Sequence, residues 1–572
     1  MDVLLNYADL QHIIAVKLCF FLFIAAGLVG IYKKWTYGYF LIVMGLASGF
    51  GYYFLVRGLQ LPLWGLEGDE ITIAAMYETF AHGSLLSDFA YANLPPFYPP
   101  LWFWVFGLFG RALDLNGVQI GKLAALVAIV FYPVVLYWAQ KKFWNRQVGS
   151  ENPQSIAWFL APILFFIFID WDAIILKPYE FVSASLAVFW TIALLYRLHH
   201  DKLTGKSIVW FGITGGVLFL LFYFWFFLAA IGVALFHLFW REKIGMRKYL
   251  LLFSVGAIML AAGSPYWLPL VRSYALHGSE NFQLGFFVTK WIATSGPLFD
   301  LSLRGLLMVA GLIALIMFRK HLYIRGLLSV FAAAYVWQIM GLATILFFAS
   351  PLQESKGFYF WNGAILAFAA AYGAERLWRF FSEKYQGVSW QRSAALIGLL
   401  VLATQLIFGT FADQPKILAA RDKSRAPEKE MRELLSFMKN AYSDIHQETT
   451  LHSSLTTIHA FLPLNDFIYF NQHNSHPAAR FSERLAYLEG LAVLRDPKEF
   501  FDMTRDTPFG PIDLFVFYTG DPARYPVYFH LDNFPFGIKE KVVNIPRELF
   551  SAEFFDKKFE NKEYVVFEPR QR

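Results

Sequence analysis

The chain has 572 residues, of which 57% are hydrophobic and only 16% are charged. About a quarter of the residues in a soluble domain are charged, so this composition excludes an ordinary soluble protein and indicates a polytopic α-helical membrane protein. The net charge of +6 resides largely in short basic loops between apolar segments and does not indicate nucleic-acid binding. A single cysteine excludes a disulfide framework or a cysteine-based metal site within the chain.

Twelve apolar segments predict the membrane-spanning helices. Several are shorter than the roughly 20 residues that a spanning helix needs. The neutral run 207–240 is too long for one helix, so we interpret it as two short helices with a break near Tyr223. The predicted spans are 12–32, 37–56, 119–139, 156–170, 180–197, 208–222, 225–240, 249–267, 305–318, 326–348, 357–377 and 393–411.

Loops rich in lysine and arginine set the predicted orientation. With these loops in the cytoplasm, the N-terminus, the 57–118 loop and the residues after 411 lie on the outer side. The alternation holds if 98–112 forms a re-entrant or surface helix rather than a span. We therefore expect about 11–13 transmembrane helices.

The composition changes after residue 411, where charges become frequent and no spanning-length apolar run follows. We expect a transmembrane domain at 1–411 and an extracytoplasmic C-terminal α/β domain at 412–572. Within the latter, 428–442 has helical spacing, and 513–519 and 564–568 are typical of short strands.

Asp69 and Glu70 form an acidic pair in the first large outer loop. A carboxylate near the apolar boundary loses water, which raises its pKa toward a value useful for a general base. Adjacent side chains on a helix diverge by about 100 degrees, so the two carboxylates cannot both point at the same atom. Two solvated charges at the start of a helix near Ile71 are the equally good alternative.

A segment rich in proline and aromatic residues follows this pair at 94–104. Two proline pairs stiffen the loop, and aromatic rings such as those of Tyr98 and Trp102 can stack on sugar faces. The run 101–104 is equally typical of a simple anchor at the membrane interface.

Other charged residues lie close to apolar spans, where charges tend to be functional or paired. Asp172 is a candidate to accept a sugar hydroxyl, with Glu180 in the same substrate-binding group, and Lys177 is a candidate to meet a phosphate. Internal pairing of lysine with aspartate is the alternative. Lys356 is a candidate to hold an anionic lipid phosphate and stabilise its departure, with a snorkelling lysine at a helix end as the alternative.

Motifs for soluble nucleotide donors and for common metal sites do not occur. The chain has no Walker motif, no glycine-rich dinucleotide turn and no HExxH sequence. The C-terminal histidines are scattered; His473 and His476 could in principle bind a metal, but such residues are far more often solvated loop histidines.

The acidic pair at 69–70, followed by Tyr98-Pro99-Pro100-Leu101-Trp102, resembles the GT-C superfamily of polyprenyl-phosphate-dependent membrane glycosyltransferases. Within it, the chain is most similar to the galactan arabinofuranosyltransferases of the mycobacterial and corynebacterial cell wall. The likeness is loose and spans most of the chain. Its supporting segments are 98–104, 177–180, 471–485 and 529–535.

This resemblance implies an inverting transfer from decaprenyl-phospho-arabinofuranose, or a related polyprenyl-phospho-sugar, to a galactan or another cell-envelope glycan. Asp69 would be the base, while Lys356, with Lys177, would balance charge on the leaving phosphate. The C-terminal domain would bind the acceptor. The resemblance further implies a location in the plasma membrane with the active site outside, and no metal or cofactor.

Two other functions fit parts of the sequence. A transporter or flippase for a lipid-linked sugar would use the same spans and intramembrane charges, but it would favour inverted repeats, of which none is visible. An assembly scaffold would use the C-terminal domain but would leave Asp69 and Lys356 without a role.

Overall fold

The computed structural model describes residues 7–33, 36–147, 156–240, 245–280, 301–384, 398 and 414–571. Up to residue 384 the described elements are helical, and strands occur in the part that begins at residue 449. The chain is thus a polytopic helical protein followed by an α/β region, as the sequence predicts.

Fourteen helices are described before residue 385. The break predicted near Tyr223 is confirmed, because one helix ends at Phe222 and the next begins at Phe224. The helices are α1 (Tyr7–Tyr32), α2 (Tyr37–Val56), α3 (Asp69–His82), α4 (Leu101–Leu113), α5 (Gly117–Gln147), α6 (Ile156–Phe168), α7 (Trp171–Leu176), α8 (Pro178–His199), α9 (Gly205–Phe222), α10 (Phe224–Trp240), α11 (Met246–His277), α12 (Leu303–Met317), α13 (Leu322–Phe348) and α14 (Phe360–Lys384).

Seven of these helices are long and apolar enough to cross a membrane, and four shorter ones are apolar. Eleven of the twelve predicted spans coincide with described helices. The twelfth, 393–411, lies outside the described residues apart from Gly398. The segment predicted as a re-entrant or surface helix forms α4, whose 13 residues are too few for an ordinary span. The chain is therefore a multi-pass membrane protein.

Small residues allow the long helices to pack closely. A side-chain carbon added at Gly216 of α9 would lie 2.4 Å from the Cβ of Ala262 on α11, and one added at Gly212 would lie 2.5 Å from Ile258. Close backbone approach of this kind is the usual source of helix association in a bilayer, where burial of apolar surface gives little driving force.

The outer loops meet at one end of the helical bundle. The Tyr266 hydroxyl donates to the carbonyl of Phe97 at 2.7 Å, which joins α11 to the proline-rich loop. At the same end the backbone N–H of Gln60 donates to Arg425 at 3.0 Å. The loops that the predicted alternation assigns to one side of the membrane thus lie together.

The described region after residue 413 contains four α-helices and seven strands, besides short 3-10 helices. Five strands form one sheet in the order β2-β1-β3-β7-β6, with β1 parallel to β2 and β3 and the other pairs antiparallel; β4 and β5 form a separate hairpin. The elements are α15 (Gln414–Lys423), α16 (Lys429–Ala441), β1 (Thr449–His452), β2 (Asn465–Asp466), α17 (Phe481–Ala492), α18 (Pro497–Arg505), β3 (Leu514–Tyr518), β4 (Arg524–Asp532), β5 (Ile538–Pro546), β6 (Phe555–Glu560) and β7 (Tyr564–Pro569).

The C-terminal region is attached directly to the loop between α3 and α4. The backbone N–H of Asp466 donates to the carbonyl of Ala90 at 2.7 Å, and that of Ala92 donates to Asn465 Oδ1 at 3.0 Å. The Tyr91 hydroxyl lies 2.9 Å from Ser475 Oγ. These contacts hold the C-terminal region against the loop that follows α3.

Candidate active site

The candidate site forms where the N-termini of α3 and α8 converge. Asp69 is the first residue of α3, after Gly68, whose φ of 57° suits a glycine. The N-cap position is Gly68, which has no side chain that could cap the helix. Asp69 Oδ2 lies 2.6 Å from Lys177 Nζ, and 45% of the Asp69 side chain remains exposed.

A buried carboxylate connects two lysines at this site. Glu180, in the first turn of α8, has an almost fully buried side chain. Its carboxylate lies 3.0 Å from Lys356 Nζ and 4.0 Å from Lys177 Nζ. Asp69, Lys177, Glu180 and Lys356 therefore form a chain of alternating charge with no net charge when all four are ionised.

The neighbouring charges set the acidity of this chain. Burial raises the pKa of Asp69, but Lys177, Lys356 and His473 outweigh that effect and lower it below its ordinary value. Burial lowers the pKa of Lys177, but the carboxylates of Glu180 and Asp69 outweigh it and raise the pKa above its ordinary value. Asp69 is thus an ionised carboxylate near neutral pH.

The charged form of Lys356 is stabilised less by its surroundings than that of Lys177. Burial lowers its pKa below the ordinary value, and Lys177 adds to that effect, in spite of the attraction of Glu180. Its ammonium also lies 5.1 Å from the centroid of the Phe222 ring at the break between α9 and α10. A desolvated ammonium of this kind gains from an added anion, because the anion restores the charge balance lost on burial.

Glu70 lies on a different face of α3 from Asp69, as the 100-degree rotation predicts. It lines a pocket that opens to solvent, together with Trp64, Tyr77, Lys122 and Ile175. Burial is the main reason that the pKa of Glu70 rises to about 7. The two acidic residues therefore border different spaces, and only Asp69 contacts Lys177.

The two predicted aromatic residues occupy different positions. Burial is the main cause that raises the pKa of the Tyr98 hydroxyl, with smaller contributions from the nearby carboxylates of Asp69 and Glu180. The Trp102 indole N–H donates to the hydroxyl of Tyr77 at 2.8 Å and thereby joins α4 to α3. A role for either ring in sugar binding stays a prediction.

Asp172 lies apart from the charge chain. Its Oδ2 is 3.8 Å from Lys416 Nζ on α15, so the internal pairing left open by the sequence involves a different lysine from the nearby Lys177. Lys416 also lies 5.2 Å from the centroid of the Trp64 ring. Asp172 therefore borders the same region as Glu70, and its role in sugar binding remains a prediction.

Sequence reasoning missed Arg304. Its guanidinium forms a close ion pair with Asp170, the residue before α7. The Tyr359 hydroxyl donates to the other oxygen of Asp170 at 3.0 Å, and Tyr359 follows Lys356 by three residues. The contact fixes the loop that carries Lys356 to the start of α7. An arginine before an apolar segment was the only signal in the sequence.

The interpretation of the C-terminal histidines as solvated is wrong for several of them. His446, His452, His459 and His476 are all buried, with exposures between 0% and 4%. They are buried because the loops of this region pack against α3 and the 84–97 loop; for example, His446 Nε2 lies 3.0 Å from Ser87 Oγ. The scattered spacing gave no indication of this burial.

Two of these histidines, His452 and His459, lie close to the buried carboxylate of Asp466, so that three possible metal-ligating side chains come together. The Nε2 atoms of His452 and His459 and the carboxylate oxygens of Asp466 lie about 3.3 Å apart. However, the backbone N–H of Leu455 donates to His452 Nδ1 at 3.0 Å. The ring proton of His452 is therefore on Nε2, where it points at Asp466 and blocks a metal. We interpret the cluster as a group of polar side chains that stabilises the loops packed against α3.

The family of the chain follows from residues 61–352. These residues, just over half of the chain, match the sequence model of the family described as "Arabinofuranosyltransferase N terminal". The chain belongs to this family. It is therefore a membrane glycosyltransferase, which confirms the predicted enzyme class. The matched range includes every predicted site residue except Lys356, which follows its end by four positions.

Similar proteins cover most of the chain. A galactan 5-O-arabinofuranosyltransferase of Mycolicibacterium smegmatis is 24% identical over 89% of this chain and 82% of its own length. The protein of that name from Corynebacterium glutamicum is 24% identical over 80% of this chain and 71% of its own. The crystal structure of ArnT from Cupriavidus metallidurans bound to undecaprenyl phosphate aligns with a TM-score of 0.44 and 14% identity over 92% of this chain and 97% of that one.

Proposed function

We propose that the protein is an inverting glycosyltransferase that moves a sugar, arabinofuranose, from a polyprenyl-phosphate donor to a cell-envelope glycan such as galactan. The proposal assigns the site to the outer face of the plasma membrane. The single observation that carries it is the contact of 2.6 Å between Asp69 and Lys177, with Lys356 linked to them through Glu180. The sugar and acceptor are those in the names of the similar proteins.

The reaction follows from these groups. A hydroxyl oxygen of the acceptor attacks the anomeric carbon of the donor sugar, and Asp69 accepts the hydroxyl proton. The bond between the anomeric carbon and the phosphate oxygen breaks on the opposite side, so the configuration inverts and polyprenyl phosphate leaves. The leaving phosphate gains a negative charge as the bond breaks, and two ammonium groups held in place beforehand stabilise that charge.

Glu180 has a supporting role in this scheme. Because it is buried and contacts both lysines, it holds their ammonium groups on either side of one carboxylate in the absence of substrate. The carboxylate also reduces the cost of burying the two positive charges. A donor phosphate therefore enters a site that is already arranged for an anion, and no large rearrangement is needed.

The test uses purified protein in detergent with polyprenyl-phospho-arabinofuranose and a galactan oligosaccharide. We expect transfer by the natural protein, a loss of at least about 100-fold in Asp69→Asn, as is typical for a general base, and unchanged transfer in Glu67→Gln. Glu67 is a nearby exposed acidic residue that pairs with Lys423 at 3.7 Å. Full activity of folded Asp69→Asn would refute the base role. A flippase, the alternative function, would give no transfer in this assay, because it forms no glycosidic bond and flipping itself needs a bilayer.

A further inference from the structure

The pocket that Glu70 lines has no part in the reaction described above, and we call it the Glu70 pocket. Residues of α2, α3, α5 and α7 surround it, together with the loop between α2 and α3. Its walls are mainly apolar and include the aromatic rings of Tyr52, Trp64 and Tyr77; the charged side chains among them are Glu70 and Lys122. Apolar and aromatic walls with a few polar groups are typical of a small-molecule site.

The loop between α2 and α3 is fixed from two sides. Lys122 Nζ, on α5, donates to the carbonyl of Leu59 at 2.6 Å. From the C-terminal region, the hydroxyl of Ser424 donates to the carbonyl of Leu63 at 2.7 Å. The pocket is therefore formed before any ligand binds, and binding does not require its walls to become ordered.

Two polar groups on the pocket wall lack partners in the part of the chain that the structure describes. The Glu70 carboxylate forms no ion pair and no hydrogen bond with another described residue. The indole N–H of Trp64 is buried and donates to no described group. Because buried polar groups of proteins are nearly always hydrogen-bonded, a ligand with hydroxyl groups is favoured here over one without them.

These features suit one neutral sugar unit. The C–H face of a sugar ring packs against aromatic rings, and its hydroxyls hydrogen-bond to a carboxyl group. Burial raises the pKa of Glu70 to about 7, so both protonation states occur near neutral pH. An ionised carboxylate accepts a hydrogen bond from a hydroxyl, and a protonated carboxyl can also donate one. An isoprenoid chain would fit the apolar walls but would leave Glu70 and Trp64 unpaired.

The Glu70 pocket adjoins the candidate base. Asp69 and Glu70 are the first two residues of α3, and consecutive residues of a helix differ by about 1.5 Å in height and about 100 degrees in direction. The surface in front of this turn is open, since a side-chain carbon added at Gly65 or Gly68 would meet nothing within 4 Å. A glycan that passes over this end of α3 can therefore contact both carboxyl groups.

We propose that the Glu70 pocket binds a sugar unit of the acceptor glycan, next to the unit whose hydroxyl loses its proton to Asp69. Glu70 hydrogen-bonds to this unit, and the aromatic rings pack against it. The inference rests on the proposed function, in which the acceptor is a glycan. It assigns a part of acceptor recognition to the helical region, in addition to any part of the C-terminal region.

The first experiment measures binding without any donor, so it does not depend on transfer. A galactan oligosaccharide is titrated calorimetrically into the full chain in detergent. Gly121→Leu narrows the pocket, because the first added carbon lies in ordinary contact with the Tyr77 ring at 3.5 Å and the rest of the side chain takes up space beside it. We expect this variant to bind the oligosaccharide at least about 10-fold more weakly. Gly256→Leu on α11 is the matched control, since nothing lies within 4 Å of the added carbon.

Replacement of Glu70 tests the hydrogen bond itself. Glu70→Leu should weaken binding of the oligosaccharide by about 10-fold, the usual effect of losing a hydrogen bond to a charged group. Glu70→Gln keeps hydrogen-bonding groups and should lose less. Unchanged binding in folded Gly121→Leu or Glu70→Leu would overturn the proposal, and so would the absence of binding by the natural protein. If Gly121→Leu does not fold, the titration of Glu70→Leu decides.

The second experiment measures transfer and separates a glycan from a lipid in the pocket. In Gly121→Leu and Glu70→Leu the KM for the acceptor should rise, with little change in the KM for the donor. An isoprenoid chain in the pocket would instead give a higher donor KM in Gly121→Leu and a lower one in Glu70→Leu, and this pattern would overturn the proposal. Failure of the natural protein to transfer would refute the proposed function, while the titration would still decide whether the pocket binds a glycan.

Discussion

Lys177 Nζ lies 2.6 Å from Asp69 Oδ2. The residue predicted as the base therefore forms an ion pair with a residue predicted to bind the donor phosphate before any substrate is present. The two residues are 108 positions apart, one at the start of α3 and the other immediately before α8. Their contact makes binding of the donor and activation of the base interdependent, because a phosphate that attracts Lys177 weakens its hold on Asp69. Donor binding should therefore make Asp69 a better proton acceptor.

Replacement of Lys177 should separate these two effects. In Lys177→Gln we expect the KM for the donor to rise by at least about 10-fold, since a charge-assisted contact to phosphate contributes roughly 1.5–3 kcal/mol. The pKa of Asp69 should rise as well, because its ion pair is lost. Steady-state kinetics at several donor concentrations test the first effect. A donor KM equal to that of the natural protein would contradict the assignment of Lys177.

Lys356 should act mainly on the departure of the phosphate. Its ammonium is partly desolvated and held 3.0 Å from Glu180, so it can stabilise charge that develops on the leaving group. We expect Lys356→Gln to lower kcat by about 100-fold and Lys356→Arg to lower it less. Lys423→Gln is the control, because that lysine is 65% exposed and contacts Glu67 at 3.7 Å. Equal kcat values in the Lys356→Gln and control proteins would count against this role.

The pH dependence of transfer distinguishes the two acidic residues. The pKa of Asp69 lies below its ordinary value, so a base at this position is ionised throughout neutral and mildly acidic pH. The pKa of Glu70 is raised to about 7 by burial, so a base at Glu70 would lose activity as the pH falls through 7. The pH dependence of kcat/KM reports the pKa values of groups in the free enzyme. We therefore expect kcat/KM not to decrease as the pH falls through 7. A decrease near pH 7 that disappears in Glu70→Gln would instead identify Glu70 as the base.

The apolar helices were predictable because their signal is local. The break near Tyr223 and the span 37–56 agree with the structure, since run length and hydropathy suffice to define them. The strands 514–518 and 564–569 were also visible as short apolar runs. Helix ends were less predictable: α11 extends to His277, ten residues beyond the predicted end at 267, even though two prolines lie inside the helix.

The composition of the site was only partly predictable. Lys177 and Glu180 lie three residues apart at the start of a helix, so their proximity follows from sequence spacing. The approach of Lys356 to Glu180 and of Asn474 to Thr72 depends on tertiary folding over 176 and 402 residues, which no spacing rule covers. The partner of Asp172 was unpredictable for the same reason, because Lys416 lies in a distant part of the chain.

The packing of α3 against α5 should control both stability and activity. A side-chain carbon at Gly117 would lie 2.2 Å from the carbonyl oxygen of Ala74 and 3.0 Å from the Cβ of Glu78, so Gly117→Ala must push α5 away from the helix that carries Asp69. We expect a destabilisation of about 1–3 kcal/mol, the usual cost of overpacking, and reduced transfer. Gly205→Ala is the control, because nothing lies within 4 Å of the added carbon at the start of α9. Thermal unfolding in detergent tests the prediction, and equal melting temperatures for the Gly117 variant and the natural protein would contradict it.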